Sequence, residues 1–253
     1  MNDSEKSSGK YAQQGLSAGH PKPALSILLP CLDEAEGLPR VEAELFASLD
    51  GLGTPYEVLA VDDGSRDATL ARLEELAARR PELRVLRHER TRGLGAALKT
   101  GIAAAAGDWL VPLDADLTFH PRSIADLLAA QRGSDADCVC GSPWLGTGSE
   151  VPPGRRLPSL LLNAFYRGAF DRRFSAYTPM FRLYRLSALR PLRIASDGFE
   201  VSAEILVRLL RAGGRIVEVP APLSVRRTGV SKLRRSRELW AHLRLIARLL
   251  ARA

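Results

Sequence analysis

The sequence predicts an α/β protein with a Rossmann-like, mostly parallel sheet and helices on both faces. Short apolar runs alternate with segments of helical spacing from residue 25 to residue 142. The helical segments are long enough to carry the chain back across a sheet, which is the connection that parallel strands require. Acidic residues follow the first, second and fourth runs, and ligands of such sheets bind beyond the carboxyl ends of the strands.

The predicted elements follow in order up to residue 142. Asp67 is placed to cap the second helix, and Pro121 stands in the first turn of the fourth. The predicted strands are 24–30, 56–65, 83–88, 108–116 and 136–142, and the predicted helices are 40–52, 67–80, 93–107 and 121–133.

The pattern changes after residue 142. A loop rich in glycine and proline is followed by a predicted helix, 155–170, then by the helix 198–214 and the strand 215–223. We expect three regions: a disordered tail at 1–23, one domain at 24–235, and an amphipathic basic helix at 236–253.

Composition narrows the classes of function. Hydrophobic residues make up 45% of the chain, enough for a core, and no run approaches the roughly 18 apolar residues of a membrane span. The net charge is +7, but residues 226–253 hold nine basic side chains and one acidic one, so the remainder is nearly neutral. This distribution argues against nucleic acid as a partner. The sequence predicts no particular oligomeric state.

Cysteine usage indicates a reducing compartment. The chain has three cysteines, and Cys138 and Cys140 lie two apart on a predicted strand, a poor geometry for a disulfide. The first 24 residues contain no apolar signal segment. We therefore expect a cytoplasmic protein.

Two aspartates follow the fourth apolar run, in the sequence LVPLDADLTF. On an extended segment the side chains of Asp114 and Asp116 project to the same side. Two carboxylates at a strand end can bind Mg²⁺ or Mn²⁺ together with substrate phosphates. The alternative is a solvated acidic turn in which Thr118 caps a helix.

Other polar stretches allow two interpretations each. Asp63, in VDDGS, either binds a ribose or base or belongs to a capping turn, and Glu34 either joins that site or starts a helix. The segment RGLGAALKTG lacks both phosphate-loop spacings, so close helix packing is favoured. The basic segment around Gly229 either closes over a diphosphate or is a solvated stretch.

Five motifs, read together, resemble family 2 glycosyltransferases, and most nearly the dolichol-phosphate mannose synthase type. They are SILLPCLDEAEGL, YEVLAVDDGSRDAT, RGLGAALKTGIAAAAGDWLVPLDADLTFHP, FRLYR and EVPAPLSVRRTGVSKL, and they span about residues 24 to 235. The resemblance implies a GT-A fold. It also implies inverting transfer of a hexose, mannose or glucose, from a nucleoside diphosphate sugar to a polyprenyl phosphate, with Mg²⁺ or Mn²⁺.

The same resemblance implies roles for particular residues. The donor nucleotide would be lined by Pro30, Leu32, Glu34, Val61 and Asp63. The motif Asp114, Ala115 and Asp116 would bind metal and diphosphate with Thr118 beside the metal, and Arg226 and Lys232 would grip the donor phosphates. The acceptor phosphate would be faced by Arg155, Arg156, Ser159 and Arg182.

The sequence departs from the family pattern in ways that keep alternatives open. Leu32 and Asp33 stand where the family usually has Tyr and Asn, and Pro143 replaces an arginine. An alcohol acceptor is one alternative, and a carboxylate such as Asp116 or Glu200 would then act as base. A sugar nucleotidyltransferase and a noncatalytic sugar-nucleotide-binding module are the others.

The C-terminal segment has the pattern of an amphipathic helix. An apolar stripe is formed by Leu239, Leu243, Ile246 and Leu250, with Trp240 and Leu249 at its borders and arginines on the flanks. Such a helix suits an anionic membrane surface, and the alternative is packing on the protein's own core or on a second subunit. We expect peripheral binding at the inner face of the cell membrane.

Overall fold

The computed structural model describes residues 22–146, 153–224 and 235–251, and for residues 153–158 and 235–236 it describes the backbone alone. The predicted tail, except for its last two residues, lies outside the described residues.

The described residues form a seven-stranded sheet in the order β3-β2-β1-β4-β6-β5-β7. All neighbouring strands pair parallel except β6, which runs antiparallel to β4 and β5. The strands are β1 (Leu25–Cys31), β2 (Tyr56–Asp62), β3 (Leu83–Arg87), β4 (Trp109–Pro112), β5 (Cys138–Ser142), β6 (Arg182–Arg185) and β7 (Ile216–Pro220). The predicted α/β class and mostly parallel sheet are confirmed.

Helices connect most of these strands. The first, α1, has three consecutive parts: Leu38–Arg40, a π-helical Val41–Leu45, and Phe46–Asp50. A short 3₁₀ turn, Pro121–Ser123, leads into α4. The others are α2 (Thr69–Arg79), α3 (Leu94–Ala104), α4 (Ile124–Ser134), α5 (Pro153–Ala169), α6 (Leu186–Leu189), α7 (Val201–Arg211) and α8 (Arg235–Leu250).

Several predicted boundaries are wrong, and each error has a local cause. The second strand ends at Asp62 and the fourth at Pro112, so the acidic residues after them lie in turns. Helix α2 begins at Thr69, and Asp67 accepts a hydrogen bond from the Thr69 amide without being the residue at the cap. Strand β6 was not predicted because its four residues carry arginine at both ends and form no apolar run.

The sheet separates two apolar layers. Side chains of β1 alternate between them: Ile27 and Leu29 pack with α1, α2 and α4, whereas Leu28 packs with α3, α7 and α8. Cys138 and Cys140 are free, as predicted, and they are buried in the second layer. Helices therefore cover both faces of the sheet. The polar residues that follow the strands lie at the edge of the sheet.

Close packing explains the glycines of RGLGAALKTG. Gly93 has a φ of 102°, and the Gly95 amide donates to the Asp197 carbonyl over 2.7 Å. A Cβ at position 95 would lie 2.3 Å from the Ser196 carbonyl oxygen. The favoured interpretation, a helix start that permits close approach, is confirmed in the contact between α3 and the 196–197 segment.

The C-terminal helix α8 packs on the domain through one face. His242, Leu245 and Leu249 are buried, and the Tyr166 hydroxyl of α5 lies 2.7 Å from His242 Nδ1. Arg248 lies 3.0 Å from the Ser196 hydroxyl. One face of α8 thus packs on the protein's own core, which is the alternative that the sequence left open. In the described parts of the chain, the helices are too short or too polar to cross a bilayer.

We expect Gly95→Ala to lower the free energy of unfolding by about 1–3 kcal/mol, because the added methyl group would force α3 away from the 196–197 backbone. Urea unfolding measures the change. Gly133→Ala is the control: it also lies in a helix, but a Cβ there meets no atom within 4 Å. An equal effect of the two substitutions would contradict the packing argument.

His242 predicts a pH dependence of stability. Burial lowers the pKa of His242 to about 4 from an ordinary 6.5. The unfolded chain binds more protons between these values, so the stabilisation present above pH 6.5 is lost as the pH falls toward 4, by about 3 kcal/mol in all. His242→Gln should remove this component while keeping a partner for Tyr166. Parallel stability profiles of the two proteins between pH 4 and pH 7 would contradict the prediction.

Candidate active site

Polar segments after three neighbouring strands meet at one edge of the sheet. Strand β1 lies between β2 and β4 and is parallel to both. The Asp63 amide donates to the Cys31 carbonyl over 2.8 Å, and the Leu113 amide donates to the Leu28 carbonyl over 2.9 Å. The acidic stretches that follow these strands therefore begin side by side.

The two aspartates after β4 lie in a tight turn. The Leu117 amide donates to the Asp114 carbonyl over 3.0 Å, and Leu117 has a φ of 49°. The Asp116 carboxylate accepts from the Thr118 amide over 3.0 Å and from the Thr118 hydroxyl. Asp114, Asp116 and Thr118 are half-buried, whereas Ala115 is buried.

This geometry corrects two predictions about the turn. The aspartates were expected to share a side because the segment was extended, but the backbone turns after Asp114. Thr118 does not cap a helix, because its hydroxyl bonds Asp116 and the next helical turn is capped by His120, whose Nδ1 accepts from the Arg122 amide. The turn still presents the alternate residues 114, 116 and 118 with part of their surface exposed.

Arg40 supports the turn from α1. Its guanidinium donates to both carboxylate oxygens of Glu44, one helical turn farther along α1, over 2.7 and 3.1 Å. Its Nη1 donates to the Asp116 carbonyl over 3.1 Å. No sequence motif points to Arg40 as part of the site. The spacing of Arg40 and Glu44 indicates a helical ion pair, but only the tertiary structure brings that pair to Asp116.

Asp63 organises the loop that precedes α3. Its buried carboxylate accepts from His88 Nδ1 over 2.6 Å and from the amides of Arg92 and Gly93 over 2.9 and 2.8 Å. His88 Nε2 lies 2.9 Å from the Thr100 hydroxyl. These partners offset the desolvation of a buried charge. Its predicted contact with ribose or base stays a prediction.

The loops after β1 and β2 are joined by side-chain to backbone hydrogen bonds. The Asp33 amide donates to the Ser65 hydroxyl over 2.9 Å, and the Asp33 carboxylate accepts from the Arg66 amide over 2.7 Å. The Glu34 amide donates to the Thr69 hydroxyl over 2.8 Å. These bonds build one continuous wall at the edge of the sheet.

The predicted nucleotide-lining residues differ in how much they expose. Pro30, Leu32 and Glu34 are half-buried in this wall. Val61 is fully buried in the second apolar layer, so its side chain packs in the core. A nucleotide base could therefore contact Pro30, Leu32 and Glu34, whereas the buried Val61 side chain is not accessible to it.

The predicted acceptor residues are dispersed. Arg155 and Arg156 lie in the first turn of α5, where the backbone alone is described. Ser159 lies farther along α5, and its hydroxyl is 3.2 Å from the Thr178 hydroxyl. Arg182 is fully buried and donates to the carbonyls of Ala176, Tyr177 and Ser202.

These contacts give Arg182 a structural part. Its guanidinium ties the 176–177 backbone and α7 to strand β6, and the Tyr184 hydroxyl is a further partner at 3.1 Å. Solvent does not reach this side chain. Its assignment to an acceptor phosphate stays a prediction without a supporting contact.

The chain that leads toward the predicted basic loop runs beside the acidic turn. Phe119 and Leu223 form an antiparallel bridge, and the Ser224 amide donates to the Thr118 carbonyl over 2.9 Å. Ser224 is the last described residue before position 235. Arg226 and Lys232 lie outside the described residues.

The residues of the turn fit a divalent cation. Carboxylates at 114 and 116 are hard oxygen donors, which Mg²⁺ and Mn²⁺ bind together with substrate phosphates. Among the described residues no group of three or more His, Cys, Asp or Glu side chains could hold a metal. An ion bound at this turn would therefore need further oxygen donors besides the two carboxylates.

Comparison with known families identifies the chain. The sequence model described as Glycosyl transferase family 2 matches residues 26–193, which contain the acidic edge and the turn. The chain belongs to glycosyl transferase family 2. The resemblance noted from its motifs is confirmed, and the protein is a glycosyltransferase.

Two relatives of this glycosyltransferase carry names that specify a substrate. A Pyrococcus furiosus protein named dolichol-phosphate mannosyltransferase is 30% identical over 230 residues, which are 89% of this chain and 63% of that protein. A Micrococcus luteus protein named undecaprenyl-phosphate mannosyltransferase is 32% identical over 214 residues, which are 81% of this chain and 86% of that protein. The chain thus spans less than two thirds of the Pyrococcus protein.

Solved structures confirm the GT-A fold. Glucosyl-3-phosphoglycerate synthase from Mycobacterium tuberculosis, in complex with Mn²⁺, UDP and phosphoglyceric acid, has a TM-score of 0.66 at 24% identity, covering 91% of this chain and 78% of that one. A complex of the same enzyme with Mg²⁺ and UDP has a TM-score of 0.64 at 25% identity, covering 91% and 79%.

We expect Arg40→Ala to raise the Mn²⁺ concentration needed for half-maximal glycosyl transfer by about tenfold, because the turn that carries Asp116 loses its support. Arg40→Lys should restore part of the loss. Arg79→Ala is the control: it breaks a similar pair, with Glu42, that does not touch the turn. An unchanged metal requirement in Arg40→Ala, with transfer otherwise reduced, would contradict a positioning role.

Proposed function

We propose that this glycosyltransferase moves a hexose, mannose or glucose, from a nucleoside diphosphate sugar to a polyprenyl phosphate with inversion. The observation that carries the proposal is the acidic turn 114–118 at the shared edge of β1, β2 and β4, with the Ser224 amide bonded to Thr118. The names of the two relatives support the acceptor class and mannose as the sugar.

Mg²⁺ or Mn²⁺ is the proposed cofactor, held by Asp114 and Asp116. When bound, the ion would offset negative charge on the departing diphosphate. Two hydrogen bonds hold the turn that carries Asp116. The Thr118 amide donates to the Asp116 carboxylate, and Arg40 donates to the Asp116 carbonyl. The metals seen in the M. tuberculosis enzyme support this choice.

The donor nucleotide is proposed to lie against the wall formed by the loops after β1 and β2. Pro30, Leu32 and Glu34 contribute surface there, and Asp63 keeps the neighbouring loop in place. Arg226 and Lys232 would compensate the donor phosphates. Support for this comes from the described chain, which reaches Ser224, two residues before Arg226, directly beside the turn.

A phosphate acceptor needs little help from a general base, because its oxygens are already ionised near neutral pH. The protein then has to hold the acceptor oxygen in line with the anomeric carbon. Arg155, Arg156 and Ser159, at the start of α5, are the proposed acceptor contacts.

An alcohol acceptor is the alternative within the same family. Pro143, which replaces the family's arginine, is buried immediately after β5 and brings no charge to a phosphate.

A panel of nucleotide sugars, offered with a polyprenyl phosphate or the matching polyprenol, distinguishes a phosphate acceptor from an alcohol acceptor. The quantity measured is the nucleoside diphosphate released. Release that requires the phosphate acceptor supports the proposal, and transfer to the alcohol alone would overturn it.

Where the protein acts follows from this proposal. A polyprenyl acceptor resides in a bilayer, so we propose that the chain acts at a membrane surface, on the cytoplasmic side expected from its sequence. Leu239, Trp240 and Leu250 of α8 remain exposed beside the buried face of that helix, which supports a membrane role for it.

We expect Asp116→Asn to reduce transfer by at least about 100-fold, because the turn loses one of its two charged metal ligands. Released nucleoside diphosphate is measured over a range of Mn²⁺ concentrations, and thermal unfolding checks the fold. Asp108→Asn is the control, since Asp108 is exposed and pairs with Lys22 away from the turn. Full activity of Asp116→Asn would refute the metal role.

A further inference from the structure

A buried histidine lies between the Asp63 carboxylate and helix α3. His88 is the residue directly after β3, and only 1% of its surface is exposed. Its Nδ1 lies 2.6 Å from the Asp63 carboxylate, and its Nε2 lies 2.9 Å from the Thr100 hydroxyl. An ionised carboxylate only accepts hydrogen bonds, so Nδ1 is a nitrogen that carries a proton. The ring is therefore fixed at both of its nitrogens.

The Asp63 carboxylate divides its hydrogen bonds between its two oxygens. Oδ1 accepts from His88 Nδ1 and from the Arg92 amide, over 2.6 and 2.9 Å. Oδ2 accepts from the Gly93 amide over 2.8 Å. Each carboxylate oxygen has two acceptor positions, so both are used on Oδ1, whereas the described residues fill one of the two on Oδ2. The bond from His88 thus sets the rotation of the carboxylate and the direction in which Oδ2 points.

The loop after β3, residues 88–93, lies against the turn after β2, which is part of the wall. Gly64 of this turn has a φ of 73°, and a Cβ on it would lie 2.6 Å from the carbonyl carbon of Arg90 in the loop. The neighbouring Ser65 hydroxyl accepts from the Asp33 amide of the loop after β1 over 2.9 Å. The three loops are therefore in contact one after another, and a shift of the loop after β3 would disturb the wall.

We propose that His88 is a positioning residue for the donor. Through Nδ1 it fixes the Asp63 carboxylate, Asp63 holds the loop after β3 against the wall, and Thr100 fixes the His88 ring from α3. This inference deepens the proposed function and rests on it, because that wall is the proposed nucleotide site. His88 is itself buried, so it acts on the affinity for the donor and leaves the chemical step unchanged.

Two amide replacements separate the roles of the two ring nitrogens. His88→Asn places an amide nitrogen near the position of Nδ1, so it still donates to Asp63. His88→Gln is longer and places its amide near the position of Nε2, where it meets Thr100 and leaves Asp63 without this donor. We expect the Gln variant to bind nucleotide at least about tenfold more weakly than the wild type, and the Asn variant to stay within about threefold of it.

Calorimetric titration with GDP and with UDP, each with Mn²⁺, measures these affinities. Both nucleotides serve as probes because the proposed function leaves the base open. Thr100→Val and Thr100→Ser form a second matched pair, which carries the test if His88→Gln does not fold. The Val variant loses the hydroxyl and should bind about threefold more weakly, whereas the Ser variant keeps the hydroxyl and should match the wild type.

Steady-state kinetics separates positioning from a general loss of structure. In His88→Gln the KM for the nucleotide sugar should rise at least about tenfold while kcat stays within about threefold of the wild type. A smaller amount of folded protein would instead lower kcat and leave KM unchanged. Such a fall in kcat alone, or equal nucleotide affinity within each matched pair, would overturn the positioning role.

The two proposals fail in different ways. Wild-type protein that binds neither GDP nor UDP would refute the proposed donor class. Amide hydrogen exchange then still decides what His88 does, because the Arg92 and Gly93 amides should exchange faster in the Gln variant than in the Asn variant. Equal exchange in the two would overturn this inference. Nucleotide binding that is the same in wild type and both His88 variants would also overturn it, and would leave the proposed function intact.

Discussion

The parallel pairing of β1 with β2 on one side and with β4 on the other is the constraint on which the site depends. Because the three strands run in the same direction, the segments after Cys31, Asp62 and Pro112 begin at one edge of the sheet. Helices cover both faces, so this edge is where polar side chains keep contact with water. A single acidic segment would be an ordinary turn, and the proposed site rests on three such segments lying side by side.

The acidic residues at this edge divide into two kinds. Asp63 is buried and accepts three hydrogen bonds, so its charge is used to hold the loop before α3. Asp114 and Asp116 are half-buried in a turn supported by Thr118 and Arg40. The buried carboxylate holds the loop in place, and the partly exposed pair is the one that we propose as metal ligands.

The two helices α5 and α8 each bury one face and expose the other. Their buried faces meet at Tyr166 and His242 and join the C-terminal segment to the domain. Their outer faces carry exposed apolar side chains, among them Leu161, Phe165 and Trp240. The buried faces serve folding, so that Leu161 can be changed without disturbing the core whereas Leu245 cannot.

The sequence by itself determined the α/β class, the order of most strands and helices, and the acidic edge, because apolar periodicity and strand direction are local properties of the chain. It also determined the family through its ordered motifs. Only the tertiary structure decided the turn at Asp114–Asp116, the antiparallel β6, the burial of Arg182 and the support of Asp116 by Arg40. Each of these depends on a contact between residues far apart in sequence, such as Arg40 with Asp116 or Arg182 with Ser202, and no local pattern records which distant backbone carbonyl a side chain will meet.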